Sequence, residues 1–166
     1  LTTEGIFGVP LGVSASFVFL FVLFGSLLDK AGAGEYFIKV SYTILGKYDG
    51  GPAKAAVAAS GMFGMISGSS IANTVTVGTF TIPLMKRLGF SSHKAAAVET
   101  AASVNGQLMP PIMGAAAFIM AEFLGLDYTD IVFAAFIPAF TCYAALFYIV
   151  HIEAKKHGLK GEDASV

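Results

Sequence analysis

Residues 5–28 and 131–150 of this chain contain no charged side chain. About 20 predominantly apolar residues suffice to carry a helix across the roughly 30 Å hydrocarbon core of a bilayer. Each run therefore predicts a membrane span, and no fold that must keep a water-facing surface accommodates both. Composition agrees: 55% of residues are hydrophobic and 13% charged, against about 25% charged in soluble domains. The net charge of −1 supplies no basic stripe to neutralise phosphates, so nucleic acid is not expected as a partner. The one cysteine, Cys142, sits in an apolar run and reads as a packing residue. Pro138, within the second run, predicts a kink.

Between these spans the chain is less regular. Over residues 33–48, Phe37, Val40, Ile44, Leu45 and Tyr48 recur at helical spacing, with Glu35, Lys39, Thr43 and Lys47 on another side. That pattern predicts an amphipathic helix lying along the interface. Residues 55–85 are uncharged, yet 31 residues would make a helix of about 46 Å at 1.5 Å per residue. This is too long for one span and too short for two. Near the middle stand Ser67, Gly68, Ser69 and Ser70, poor helix formers that favour caps and turns. Two half-helices forming a re-entrant hairpin with a polar tip at membrane depth are expected. Residues 95–121 carry one charge, Glu99, and are interrupted by Asn105-Gly106-Gln107-Leu108-Met109-Pro110-Pro111. Consecutive prolines lack the donors a helix needs and clash with the preceding turn, so this span is expected to be discontinuous.

The charges give an independent test, because cytoplasmic loops carry the excess Lys and Arg. A single crossing by residues 55–85 would place Lys30, Lys39, Lys47 and Lys54 opposite Lys86, Arg87, Lys94, Lys155, Lys156 and Lys160. If the segment turns back, all ten cations of the chain fall on one side, leaving Glu4, Asp127 and Asp130 on the other. The second arrangement predicts an extracytoplasmic N-terminus, although two short complete spans would give the same parity. The expected organisation is a first span at 1–30, an interfacial arm at 31–52, the hairpin at 53–88, the discontinuous span at 91–125, the last span at 129–151 and a polar tail at 152–166. The opening Leu1-Thr2-Thr3-Glu4 has no basic start and no initiating Met, so the chain is expected to be a piece of something longer.

Irregular backbone at membrane depth is tolerated only inside protein or beside a water-filled cavity, so two breaks require a reason. Secondary transporters use them as binding sites: half-helix N-termini face anionic solutes, and unwound carbonyls coordinate cations. Ser67, Ser69, Ser70, Asn73, Thr74, Ser103, Asn105 and Gln107 offer the oxygen ligands that suit a hard ion such as Na⁺, and no thiolate or His cluster suits zinc or iron. Ser67, Ser69 and Gln107 are the first candidates for Na⁺. Asn73 and Thr74, Thr76, Thr79 and Thr81 read more readily as polar contacts between helices than as ligands, and Gly61, Gly64 and Gly68 as a close-packing face. Glu99 is the one acid well inside a span, which makes it a candidate for a proton or ion pathway. It also lies only about 7–8 Å past Lys94 on the helix rise, a position compatible with the interface. Glu122 reads as interfacial. No serine-hydrolase signature accompanies Ser69, and His93 stands apart beside Lys94, so an enzyme is not expected.

The sequence GMFGMISGSSIANTVTVGTFTIPLMKRL at 61–88, followed by QLMPPIMGAAAFIMA within 95–121, resembles the large permease subunit of tripartite ATP-independent periplasmic (TRAP) transporters. The likeness is closest to the fused permeases of the TAXI-type branch. It implies an all-α integral membrane fold, one half of an inverted-repeat elevator-type importer driven by an ion gradient, usually Na⁺. It also implies organic acids as cargo and three partners: a periplasmic substrate-binding protein, a small membrane subunit that is separate or fused, and the remaining half of the permease. No cofactor is implied beyond the coupling ion. By matching motifs, Ser67, Gly68, Ser69 and Ser70 form the hairpin tip near ion and substrate, and Gln107, Pro110 and Pro111 mark the unwound part of the neighbouring span. The location implied is the cytoplasmic membrane of a bacterium or archaeon. A channel with a hairpin constriction and an assembly subunit whose small-residue faces dock partner helices are the rival readings of the same residues.

Overall fold

The computed structural model describes residues 7–159; Glu4, Lys160 and the rest of the C-terminal tail lie outside them. Every regular element among these residues is helical. Helix α1 spans Val9–Lys30, with Pro10 in its first turn, where a missing N–H costs nothing, and a π-helical turn at Ser14–Val18. Helices α2 (Ala33–Leu45), α3 (Gly51–Ser67), α4 (Ser70–Thr76) and α5 (Gly78–Arg87) follow. Val77 keeps helical angles, so α5 continues α4. Helix α6 is Ser92–Gly106, α7 is Ala115–Leu124 and α8 is Tyr128–Lys156. Helix α8 runs through Pro138.

Helices α1 and α8 are long and apolar enough to cross a membrane. Phe19, Leu20, Phe24 and Leu27 of α1 and Phe133, Ile137, Phe140 and Ile149 of α8 are 48–76% exposed. Water would not tolerate so much contiguous apolar surface, whereas lipid tails would, and the chain is a membrane protein. The interior is built from small residues instead. Ala53, Ala55, Ala56, Val57 and Ala59 of α3 are at most 2% exposed, and a Cβ on Gly64 would lie 2.6 Å from the Gly106 Cα. Helices α3 and α6 therefore touch backbone to backbone, the close approach that small residues permit in membranes.

The segment 51–87 leaves one end of the molecule and returns to it. At its start the Gly50 N–H donates to the Leu159 carbonyl at 3.1 Å, and Lys54 Nζ lies 2.9 Å from His151 Nδ1. Beyond its end, the space at Gly89 is closed by the Leu159 side chain. Lys94, at the start of α6, pairs with Glu153 of α8. Both ends of the segment thus sit at the C-terminal end of α8 among basic residues. The amphipathic α2 lies along α3, with Phe37 and Ile38 packed on Ala59, Phe63 and Val77, and Gly34 against Phe63 and Thr76.

Candidate functional site

Helix α3 ends because Gly68 takes a left-handed conformation, φ +61°, the common glycine stop of a helix. Ser69 is extended and its hydroxyl accepts the Ala72 N–H at 3.3 Å, capping α4. The second arm then folds back along the first, where Asn73 Nδ2 donates to the Ser60 carbonyl at 2.8 Å. In the other break, helix α6 stops at Gly106 and the chain is irregular to Gly114, including the cis Pro110–Pro111 bond. Met113 has φ +59°, a costly state for a residue with a Cβ. Surrounding contacts hold it there: its side chain packs with Ala117 and Ile131, and the Tyr128 hydroxyl donates to the Pro111 and Ile112 carbonyls.

These two breaks are in contact. A Cβ on Gly68 would lie 2.4 Å from the Met113 carbonyl oxygen, and one on Gly114 would lie 3.2 Å from both Gln107 Oε1 and the Gly68 oxygen. The Gly114 N–H donates to the Gln107 carbonyl at 2.8 Å. Between them lies a cavity of about 300 Å³ lined by Ser67, Gly68, Ser69 and Ser70 from one break and by Gln107 and Met113 from the other, with Val18, Phe21 and Val22 of α1 as its wall. The Ser67 hydroxyl is buried there without a hydrogen-bond partner. Ala115 and Ala116, the first residues of α7, also line it, so the positive end of a helix dipole and several uncharged oxygens share one small space. Such a space can hold a cation on hydroxyl and carbonyl oxygens, or meet a carboxylate with N–H groups.

The remaining expected site residues fall elsewhere. Asn73 and Ser103 belong to a buried polar ladder behind the cavity. Asn73 Nδ2 reaches Ser60 Oγ at 3.1 Å, Ser60 Oγ lies 3.3 Å from Ser103 Oγ, and Ser103 Oγ donates to Glu99 Oε1 at 3.2 Å. Thr81 Oγ1 donates to Glu99 Oε2 at 2.6 Å. All five side chains are fully buried, so the ladder joins both arms of the reversed segment to α6. Asn105 lies on a separate groove with Ala101 and Val104. Pro110 is buried and Pro111 exposed, and neither lines the cavity. Sequence reasoning did not single out Ser60, which sits in an alanine-rich run, or Met113.

A family profile described as Tripartite ATP-independent periplasmic transporter, DctM component, matches residues 2–165. Among curated relatives, the C4-dicarboxylate TRAP transporter large permease protein DctM of Rhodobacter capsulatus is 34% identical over 55% of this chain and 21% of its own length. The sialic acid TRAP transporter permease protein SiaT of Haemophilus influenzae is 28% identical over 83% of this chain and 22% of its own. The isethionate TRAP transporter permease protein DctMQ of Oleidesulfovibrio alaskensis is 28% identical over 86% of this chain and 22% of its own. The chain spans about a fifth of the length of these relatives.

Proposed function

The chain belongs to the DctM component family of tripartite ATP-independent periplasmic transporters, and on that premise we propose that it forms one half of the permease of a Na⁺-driven importer of organic acids. The observation that carries this reading is the convergence of both helix breaks on one cavity. Ser67, Ser69 and Gln107 supply oxygens for Na⁺, and the start of α7 faces the solute carboxylate. C4-dicarboxylates, sialic acid and isethionate, the solutes for which these relatives are named, are all organic acid anions, and the same class is assigned here. The segment 51–87 acts as a re-entrant hairpin whose tip reaches membrane depth, with its basic base at the cytoplasmic face and the chain's N-terminus on the other side. An inverted second half supplies the matching hairpin, and the whole moves as an elevator.

The solute arrives on a periplasmic binding protein, and a small membrane subunit completes the assembly. The TAXI-like character of the 61–121 motifs favours a fused subunit. Glu99, hydrogen-bonded inward by Thr81 and Ser103, is the acid that a proton-coupled version of the cycle would use. The test is uptake of labelled organic acids by the full-length permease and its binding protein in liposomes. Uptake that requires both the binding protein and an inward Na⁺ gradient, and that falls at least tenfold in Ser69→Ala, supports the reading. Flux independent of the binding protein supports a channel instead, and flux driven by a proton gradient alone transfers the coupling role to Glu99.

A further inference from the structure

Helices α2 and α5 lie side by side over α3 and run in the same direction. Gly34, at the start of α2, and Val77, just before α5, both meet Phe63 near the far end of α3. At the other end of α5, Met85 belongs to the same buried cluster as Ala53, Ala56 and Val57 from the first half of α3. Between α2 and α5 is an open groove of about 910 Å³. Its apolar walls are Ile38 from α2 and Phe80, Pro83 and Leu84 from α5, with Phe80 50% exposed. Two threonines also line it, but their hydroxyl protons are used within their own helices. Thr43 donates to the Lys39 carbonyl at 2.8 Å and Thr79 to the Thr76 carbonyl at 2.7 Å.

The charged residues in the lining are Lys39 from one wall and Arg87 from the other. Both side chains are exposed, and no carboxylate lines the groove. Among the described residues the ion pairs are those of Glu153 with Lys94 and His157, so neither groove cation is neutralised by an acid. Arg87 lies at the end of α5, beside the basic end of the molecule. The groove therefore combines a largely hydrocarbon-lined trough with two cations that no carboxylate in the lining offsets.

We propose that this groove is a binding site for an anionic phospholipid, with its phosphate held between Lys39 and Arg87 and an acyl chain along Ile38, Phe80, Pro83 and Leu84. The chemistry separates this ligand from the transported solute. Beside the two cations the lining carries Tyr42, Thr43 and Thr79, and the rest is hydrocarbon; a small hydrophilic acid would leave those apolar walls uncovered, whereas an acyl chain covers them. Basic pockets between membrane helices near the cytoplasmic face suit anionic headgroups for this reason, and the guanidinium provides a forked phosphate donor. The site rests on the membrane character of the chain and does not require the transport reading.

The test is native mass spectrometry of the delipidated full-length permease titrated with phosphatidylglycerol or with phosphatidylcholine. Wild type is expected to prefer phosphatidylglycerol. At about 1 kcal/mol for each surface cation, the pair Lys39→Gln/Arg87→Gln should weaken phosphatidylglycerol binding about 30-fold, with phosphatidylcholine little changed. Lys39→Arg/Arg87→Lys should restore most of the affinity, and Lys155→Gln/Lys156→Gln, two cations outside the groove, should cost much less. Equal losses in the two glutamine pairs would mean diffuse surface attraction and overturn the site. So would an absence of headgroup preference, or cysteine cross-links from Phe80 to another segment of the full-length chain filling the groove.

Discussion

The cavity at the helix breaks and the ladder behind it draw on the same stretches of sequence and treat their polar groups in opposite ways. In the ladder, Ser60, Thr81, Glu99 and Ser103 are fully buried and bonded to one another. In the cavity, the Ser67 hydroxyl is buried without a partner, and Ser70 and Gln107 face open space. Satisfied buried polar networks rigidify what they join, whereas oxygens left without partners are costly unless something else binds them. The ladder is therefore read as the part that holds the two arms and α6 together, and the cavity as the part that binds. Asn73 belongs to both descriptions, because its Nδ2 is bonded and its Oδ1 is not.

The contrast can be broken at three places. The largest effect is expected at Gly68→Ala, where a left-handed φ costs a side chain about 1–2 kcal/mol and contact with the Met113 carbonyl adds about 1–3 kcal/mol of overpacking. A total near 3–4 kcal/mol should appear as a lowered thermal midpoint of the full-length permease, accompanied by loss of Na⁺ binding. Glu99→Ala removes the carboxylate to which Thr81 and Ser103 donate, leaving Thr81 its bond to the Val77 carbonyl, and with the cavity it opens should cost about 2–3 kcal/mol, while Na⁺ affinity in the protein that remains folded stays close to wild type. Loss of Na⁺ affinity there would merge the ladder with the site. Asn73→Ala should cost about 1 kcal/mol, because removing the unpartnered Oδ1 offsets part of the lost bonds; a cost above that of Glu99→Ala would reverse the assigned roles.

Much of the architecture was legible because the bilayer imposes simple demands. The charge-free runs at 5–28 and 131–150 predicted the two long apolar helices, and the Ser-Gly-Ser-Ser and double-proline segments each end a helix in the structure. Contact between the breaks was not legible, since Gly68 and Met113 are 45 residues apart and each break is explained locally by its own glycine or proline chemistry. Glu99 stood out as an acid in a span, but its short helical distance from Lys94 pointed to the interface. The structure buries it completely because the second arm brings Thr81 across to it. Ser60 carried no signal of its own, as one small residue among alanines gains meaning only from what packs against it. Asn105 and the two prolines mark the second break in sequence without facing the cavity, because a residue that shapes a turn need not point into what the turn encloses.

The most direct test of the central claim, that the two breaks make one cation site, is equilibrium binding of radioactive Na⁺ to the purified full-length permease without solute. Ser69→Ala and Gln107→Ala, one from each break, should each weaken binding at least tenfold, whereas Asn105→Ala, which lies off the cavity, should leave it within twofold of wild type. Normal Na⁺ binding in both cavity variants, or an equal loss in Asn105→Ala, would contradict the account.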